Sequence, residues 1–292
     1  MTTGNISSAA VALSALLLAG CGNGEPPAYD LVIRGGTVFD GTGAQGRIAD
    51  VAIVGDRIVE IGAIEGRGKR NIDAGGLYVA PGFIDMHSHS EVPRLQNGGQ
   101  GPSFAYQGLT TEIYGETVSM GPVGGLRENN LPEELLGKWV TFGEYLDYQE
   151  TTGSAINFGS YVGSGGIREV VMGYEDRDPT DNELEAMKKL VREAMREGAL
   201  GISAGMSYVP NIYMSTAELA ALVAESARLG GIFANHARTM NGTDPEAISE
   251  ALEIGELADA PVHFFHLNST SSTRADEFLS RIEAALDRGM QV

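Results

Sequence analysis

Two histidines separated by one residue follow an apolar segment early in the chain, in the run Gly82-Phe83-Ile84-Asp85-Met86-His87-Ser88-His89. Side chains at positions i and i+2 of a strand point to the same face. His87 and His89 would therefore present two imidazoles side by side, as two ligands of one metal ion require. Two unrelated surface histidines are the alternative, because a short motif by itself is only a hypothesis.

The other histidines change this balance, because the chain has only five in 292 residues. His236 and His266 each close an apolar, strand-like segment. A lone histidine in such a place more often makes a hydrogen bond in the core than binds metal. Together with the His-x-His pair, however, the two favour a metal site. Strand parity places His263 on the face opposite His266, towards the helices, so we exclude His263 from the site.

Composition sets the class of protein. A hydrophobic content of 42% and a charged content of 20% describe a globular chain with a sizeable core. The formal net charge of −19 argues against a nucleic-acid partner, since phosphates need a basic face. A single cysteine excludes an internal disulfide framework and a cysteine-rich metal site.

That cysteine closes an apolar leader. Residues 8–20 form an apolar region that is short for a membrane span, and they end in Leu18-Ala19-Gly20-Cys21. This ending resembles the lipobox of bacterial lipoproteins, which implies cleavage before Cys21 and acylation of its sulfur. No lysine or arginine precedes the apolar region, so an ordinary secretory signal or a misassigned start codon remains the alternative. With residues 22–28 as a flexible tether, we expect a protein exported to the periplasm or cell surface and lipid-anchored to the membrane.

Residues 29–80 read as a small β-rich portion. Short β-branched runs cover 30–34, 37–39, 50–54 and 57–61, and the Gly55-Asp56 pair between the last two is a hairpin signal. This portion is too small for a complete sandwich, so it should pair with strands from elsewhere in the chain.

From residue 81 onward, strands alternate with helices. Apolar runs predict strands at 110–114, 156–162, 201–205, 231–236 and 262–266, and another strand begins at 291. Helical spacing and capping signals predict helices over 132–150, 180–196, 215–229, 245–258 and 276–288.

This alternation predicts a parallel sheet with helices outside, either a barrel or a doubly wound sheet. No Gly-x-Gly-x-x-Gly follows a strand, so a dinucleotide fold lacks its main support. In a (β/α)8 barrel, chemistry collects at the carboxyl ends of the strands. Counted from the strand that ends in His87 and His89, Glu116 falls at the end of the second strand, His236 at the end of the fifth and His266 at the end of the sixth.

Several of these segments together resemble the amidohydrolase superfamily, and within it the D-aminoacylase (N-acyl-D-amino-acid deacylase) branch. The resemblance rests on Tyr29–Val38, Ala80–His89, Gln107–Glu112, Gly205–Pro210 and the two later histidines. It implies a zinc-dependent (β/α)8 barrel over residues 81–292, flanked by a β-sandwich built from both ends of the chain. The last two barrel strands and the catalytic aspartate after strand eight have no counterpart here. The chain is therefore expected to stop in strand seven, as a fragment or a truncated gene model, and no catalytic residue is assigned within it.

The resemblance also implies roles for individual residues. His236 and His266 match ligands of the tightly held metal. Well-known members bridge two metals through a cysteine after strand two, where this chain offers Glu116, whose two oxygens can bridge two zinc ions. Glu112 shares its strand parity but lies deeper. A loop carboxylate without a role is the alternative for Glu116.

Substrate contacts are less closely matched. Tyr208 matches the family tyrosine that helps to hold the substrate carboxylate, although a rim aromatic would look the same. Arg238, two residues after His236, is a weaker candidate, since it could contact either the substrate carboxylate or an acidic side chain behind the ligands. The chain departs from the family pattern at two positions. Asn268 stands where the family often has lysine, and Ser164 stands where it commonly has histidine.

The function implied is the zinc-dependent release of a D-amino acid from its N-acyl derivative, with one or two ions. The alternatives are a cyclic-amide hydrolase of the dihydroorotase or hydantoinase type and a lipoprotein that keeps the fold but only binds ligand. The hydantoinase type uses a carboxylated lysine as its bridge. None of the four lysines (69, 138, 188 and 189) lies at a predicted strand end, which disfavours that alternative.

Overall fold

The computed structural model describes residues 28–238, 245–267 and 272–292, apart from the side chains of residues 128, 129 and 272–274. The leader with Cys21, nearly all of the tether and Asn268 lie outside the described residues, so what was predicted for them stays a prediction. The chain divides into two compact units, Met1–Pro81 and Gly82–Val292. No described helix is long and apolar enough to cross a membrane.

The first unit contains one five-stranded sheet. Its strands are β1 (Tyr29–Val38), β2 (Arg47–Val54), β3 (Arg57–Gly62), β4 (Gly68–Asp73) and β5 (Tyr78–Val79). The order is β3-β2-β1-β4, with β5 also on β1, and β1 is antiparallel to β2 but parallel to β4 and β5. The hairpin predicted at Gly55-Asp56 is confirmed. The predicted runs at 30–34 and 37–39 form one strand with a register shift between Ile33 and Gly36, and β4 was not predicted.

The second unit alternates strands and helices. Its strands are β6 (Phe83–Asp85), β7 (Leu109–Tyr114), β8 (Asn157–Ser160), β9 (Val162–Gly163), β10 (Gly201–Gly205), β11 (Ile232–His236) and β12 (Val262–Phe264). Its helices are α1 (Glu91–Gln96), α2 (Pro102–Tyr106), α3 (Phe142–Thr152), α4 (Ser164–Val171), α5 (Asp181–Arg196), α6 (Thr216–Ala227), α7 (Pro245–Ala258) and α8 (Ser272–Asp287).

All pairings in this unit are parallel and follow chain order. One sheet runs β6-β7-β8 and the other runs β9-β10-β11-β12. Only Tyr161 separates β8 from β9, so these two strands form one nearly continuous segment that belongs to both sheets. Counted as one strand, they give six strands in chain order. Beyond β12, the Gln291 carbonyl accepts a hydrogen bond of 2.9 Å from the Val262 amide. The α/β class with parallel strands is thus confirmed.

Helices cover the outer face of this sheet. Met187 and Val191 of α5 and Leu222 of α6 pack with Ile202 and Phe233 of the strands in one buried cluster. Burial of this kind contributes about 25 cal/mol per Å² of apolar surface, which is why the helices stay on the sheet. A smaller cluster lies on the inner face, made by Ile113, Tyr161, Ala234 and Phe265.

The helix predicted over 132–150 is shorter than expected. It begins at Phe142, where Thr141 and Glu144 form a capping box, after an irregular segment. Leu135 and Trp139 in that segment are buried, and the Trp139 indole donates to the Met120 carbonyl at 2.6 Å. The apolar spacing there reflects burial of a loop and not a helical face. The capping boxes predicted at Thr180 and Ser215 do open α5 and α6, although only the first closes reciprocally.

Candidate metal centre

Four histidines and one glutamate meet at the carboxyl ends of the parallel strands. His87 and His89 follow β6, and Glu116 follows β7. His236 is the last residue of β11, and His266 comes two residues after β12 ends. Because parallel strands end at one edge of a sheet, residues far apart in sequence converge there.

The Glu116 carboxylate divides the four imidazoles into two pairs. Its Oε2 lies 2.7 Å from His87 Nε2 and 3.0 Å from His89 Nε2. Its Oε1 lies 3.2 Å from His236 Nδ1 and 3.9 Å from His266 Nε2. The ligand atoms within each group of three lie within 4.8 Å of one another. One carboxylate oxygen therefore faces each half of the cluster, which is the arrangement of a bridge between two ions.

Two observations indicate that this site binds a cation. His236 Nδ1 and His266 Nε2 face each other at 2.8 Å. Glu116 Oε1 is buried and lacks a hydrogen bond of ordinary geometry. Buried polar atoms are normally satisfied, so a buried oxygen without a hydrogen bond beside two ring nitrogens fits a site that binds a cation. Nitrogen and carboxylate ligands in this number suit zinc.

Two of the five candidate ligands, Glu116 and His266, have pKa values shifted in the direction that favours metal binding. Burial raises the pKa of Glu116, but the adjacent His236 and His87 rings, at 3.2 and 2.7 Å from its oxygens, lower the pKa further than burial raises it. The carboxyl therefore stays ionised well below neutral pH. Burial lowers the pKa of His266, which favours the neutral imidazole that a metal ion requires.

A tight turn sends Glu116 into the cluster. Gly115 has φ +90°, and a Cβ there would lie 2.3 Å from the Tyr161 carbonyl oxygen, so only glycine fits. Thr117, on the other side of Glu116, also has a positive φ of 62°. This turn ends the alternation of β7, and the expectation that Glu112 and Glu116 share one face is wrong. Glu112 instead points to the outer side, where it is buried against Arg94.

The predicted direction of His263 is also wrong. Val262 and Phe264, its neighbours on β12, pack into the helix-side core. The His263 ring lies 5.5 Å from that of Phe265, which stacks at 4.3 Å on His87. Parity fails because β12 ends at Phe264 and His266 has φ +29°, so the alternation does not reach His266. His263 still belongs to neither candidate ligand group among the described residues.

Tyr208 lies beside the cluster. Its ring centroid is 4.8 Å from that of His236, and the residue is half exposed. A Cβ on Gly205 would clash with both Thr117 Oγ1 and the Tyr208 ring, so this close packing next to Tyr208 requires glycine. Ser164, the second position of departure, is fully buried and accepts a hydrogen bond of 2.5 Å from Asn211 Nδ2.

Of the two partners expected for Arg238, the structure shows the acidic side chain. Its Nε contacts both carboxylate oxygens of Glu250 at 3.1 and 3.0 Å. Its terminal nitrogens each donate at 2.9 Å to a backbone carbonyl, those of Ile212 and Met214. The guanidinium is thus engaged in holding the segment after Tyr208, and the structure does not bring it to the histidines. We therefore withdraw it as a substrate-binding candidate.

Two features of the site were missed from the sequence. Phe265 supports His87 by stacking, and an aromatic residue just before the last histidine was the available signal. Glu91 accepts a hydrogen bond of 3.1 Å from the Gly115 amide and so holds the turn that precedes Glu116. It lies two residues after His89, but nothing in the spacing connects it to Gly115.

Comparison with known proteins agrees with this geometry. Residues 70–277 match the model of the amidohydrolase family. The D-aminoacylase of Alcaligenes xylosoxydans xylosoxydans is 35% identical over 270 residues, which cover 89% of this chain and 55% of that protein.

Two solved structures are similar to this chain. One is a D-aminoacylase studied for the functional role of its binuclear metal centre (TM-score 0.78, 33% identity, covering 89% of this chain and 56% of that chain). The other is the N-acyl-D-glutamate deacylase of Bordetella bronchiseptica complexed with zinc and a phosphonate inhibitor (TM-score 0.76, 29% identity, covering 90% and 57%).

The chain thus spans about half the length of the relatives that it matches. Within that span, the family model covers most of the residues, and the D-aminoacylase similarity extends over nearly all of them. This protein belongs to the amidohydrolase family.

Proposed function

We propose that the complete protein is a zinc-dependent hydrolase that releases D-amino acids from their N-acyl derivatives. The observation that carries the proposal is the Glu116 carboxylate, with one oxygen facing His87 and His89 and the other facing His236 and His266. The similarity to D-aminoacylase and to a zinc-containing N-acyl-D-glutamate deacylase supports the choice of reaction.

The five ligands would hold one or two zinc ions. His236, His266 and Glu116 Oε1 form one half of the centre, and His87, His89 and Glu116 Oε2 form the other. Zinc supplies Lewis acidity towards an amide carbonyl and makes water a nucleophile at neutral pH. Glu116 is ionised in this site and keeps its negative charge between the two halves.

Tyr208 is our candidate for the substrate carboxylate. Its phenol is half exposed beside His236, and a hydroxyl there can donate to an anionic oxygen. A carboxylate held at Tyr208 and a carbonyl held at the metal fix two of the four groups on the substrate's α carbon. The side chain and the hydrogen then occupy the two remaining positions, and one enantiomer is selected where only one of these positions has room for a side chain.

The proton-transfer group is proposed to lie outside this chain. A positioned carboxylate typically contributes a rate factor of about 10²–10⁴ in such hydrolysis. We propose an aspartate at the end of a later strand of a (β/α)8 barrel, in which the strand beginning at Gln291 is the seventh. The N-terminal sheet would belong to a β-sandwich.

A bridging carboxylated lysine, as in the hydantoinase type, gains no support. Lys188 and Lys189 belong to α5 on the outside of the strands, and Lys138 precedes α3. Lys69 lies on β4 of the first unit. We therefore treat ring opening as an outcome of the test and not as a second proposal.

The test is an assay of the purified full-length protein with matched N-acyl-D- and N-acyl-L-amino acids. The proposal expects release of the D-amino acid, loss of activity after chelation and recovery on adding zinc. A zinc-loaded protein that leaves both enantiomers intact but opens a hydantoin or dihydroorotate ring would overturn the assignment. A protein that binds the acylated amino acid without cleaving it would show a binding lipoprotein instead.

We also propose that the protein is exported and anchored to the membrane through a lipid on Cys21. The support is the Leu-Ala-Gly-Cys ending of the apolar leader. Cys21→Ala should leave the precursor unprocessed or release the protein into the soluble fraction. A single acyl chain binds membranes only marginally, so firm retention requires full lipidation. Soluble fractionation of the unaltered protein without lipid would contradict this proposal.

A further inference from the structure

The segment that carries His87 and His89 is not itself in a strand or helix. β6 ends at Asp85 and α1 begins at Glu91. Its main anchor to the sheet is the Ser88 amide, which donates to the Ile113 carbonyl at 2.9 Å. The His89 side chain is 65% exposed, so packing does not fix its imidazole. His87 stacks on Phe265, but the His89 ring needs another anchor.

A buried carboxylate lies directly behind this segment. Glu112 on β7 is fully buried, and its Oε2 accepts hydrogen bonds from Ser88 Oγ at 3.0 Å and from Ser90 Oγ. The two hydroxyls are themselves 3.1 Å apart. The residues on either side of His89 are thereby tied to a single carboxylate oxygen.

Arg94 fixes the other oxygen of this carboxylate. Its Nη2 donates to Glu112 Oε1, and its Nη1 donates to Ser154 Oγ at 3.0 Å and to the Gly99 carbonyl at 3.3 Å. Both side chains of the ion pair are essentially inaccessible to solvent. A buried pair of this kind is costly to break, so Glu112 presents a rigid acceptor to the two serines.

We infer that Glu112 is a positioning residue for one half of the metal centre, the half formed by His87, His89 and Glu116 Oε2. The inference rests on the proposed function, since it takes these histidines as zinc ligands. The other half is positioned differently, because His236 is part of β11 and His266 directly follows β12. The contact between Glu112 and the serines should therefore govern the affinity of one ion and not of both.

The double variant Ser88→Ala/Ser90→Ala tests this inference most cleanly. It removes both hydroxyls but leaves the Glu112–Arg94 ion pair intact, so the fold is retained. Loss of a partner that orients metal ligands typically costs 10- to 100-fold in metal affinity. We expect one zinc ion to bind at least about 10-fold more weakly and the other to be unchanged, in a titration against a competing chelator.

Two controls separate positioning from general damage. Ser154→Ala removes the hydroxyl contacted by Arg94 on the side away from the histidines, and it should leave both zinc affinities unchanged. Glu218→Gln disrupts a second buried arginine–glutamate pair, with Arg168, and should lower the melting temperature without separating the two affinities. In a His87→Ala background, where that half is already broken, the two serine substitutions should have no further effect on zinc binding.

Two outcomes overturn the inference. If the serine variant binds both ions as tightly as the unaltered protein, Glu112 does not position the ligands. If it loses both ions equally, the effect is not confined to one half. Failure of the proposed function looks different, because there the unaltered protein itself binds no zinc or releases no D-amino acid.

Discussion

His236 Nδ1 and His266 Nε2 lie 2.8 Å apart, and the buried Oε1 of Glu116 is within 4 Å of both. Two imidazoles and a carboxylate in this arrangement suit the binding of a shared cation. His236→Ala and His266→Ala should each remove the ion of this half, while an ion bound by His87 and His89 stays. Metal content by elemental analysis checks this, and unchanged content in both variants would contradict it.

His263→Ala provides the matched comparison. His263 lies on β12, three residues before His266, and its ring is partly buried against Phe265. It belongs to neither ligand group among the described residues. We expect the variant to retain its full complement of zinc and to lose thermal stability, because removing a packed side chain leaves a gap. Zinc loss equal to that of His266→Ala would show that His263 is a ligand.

The bridging role of Glu116 predicts a sharper defect. Glu116→Gln keeps the size of the side chain but removes its charge, and an amide cannot offer an anionic oxygen to each half. We expect loss of one ion and a fall in kcat of at least about 10-fold, since changes even in groups that only support a metal site typically cost 10- to 100-fold. Glu225→Gln, on a carboxylate that pairs with surface Arg228, should change neither quantity.

Arg238 should affect substrate binding through the segment that carries Tyr208. Arg238→Met removes the contacts to Glu250 and to the carbonyls of Ile212 and Met214. We expect KM to rise about 10-fold, which corresponds to about 1.4 kcal/mol, with zinc content unchanged. Arg228→Met, on an exposed arginine, is the control. An unchanged KM would show that this clamp does not position Tyr208.

Much of the fold was predictable because it depends on local patterns. Apolar runs of four to six residues between turn signals identified most strands, and the capping signals at Thr180 and Ser215 identified where α5 and α6 begin. The helix predicted from residue 132 failed because Leu135 and Trp139 are buried by an irregular segment. Burial produces apolar spacing there without an α-helix, since the segment contains only a short 3₁₀ helix, Glu133–Leu135, before α3 begins.

The candidate ligands were predictable from their positions at strand ends, but the surroundings of the ligands were not. Strand parity misplaced His263 and Glu112, because Gly115 and His266 have positive φ values that end the alternation. The sequence could not decide between the two possible partners of Arg238, because Glu250 lies on a later helix. The Glu112–serine contact joins two segments 22 residues apart or more, and no local pattern reports it.

The measurement that tests the central claim most directly is the zinc content of the full-length protein, taken together with its hydrolysis of one pair of N-acyl enantiomers. The two-sided Glu116 carboxylate predicts up to two zinc ions per chain and release of the D-amino acid in preference to the L-amino acid. A protein that binds no zinc, or that carries zinc and cleaves neither enantiomer, would contradict the account.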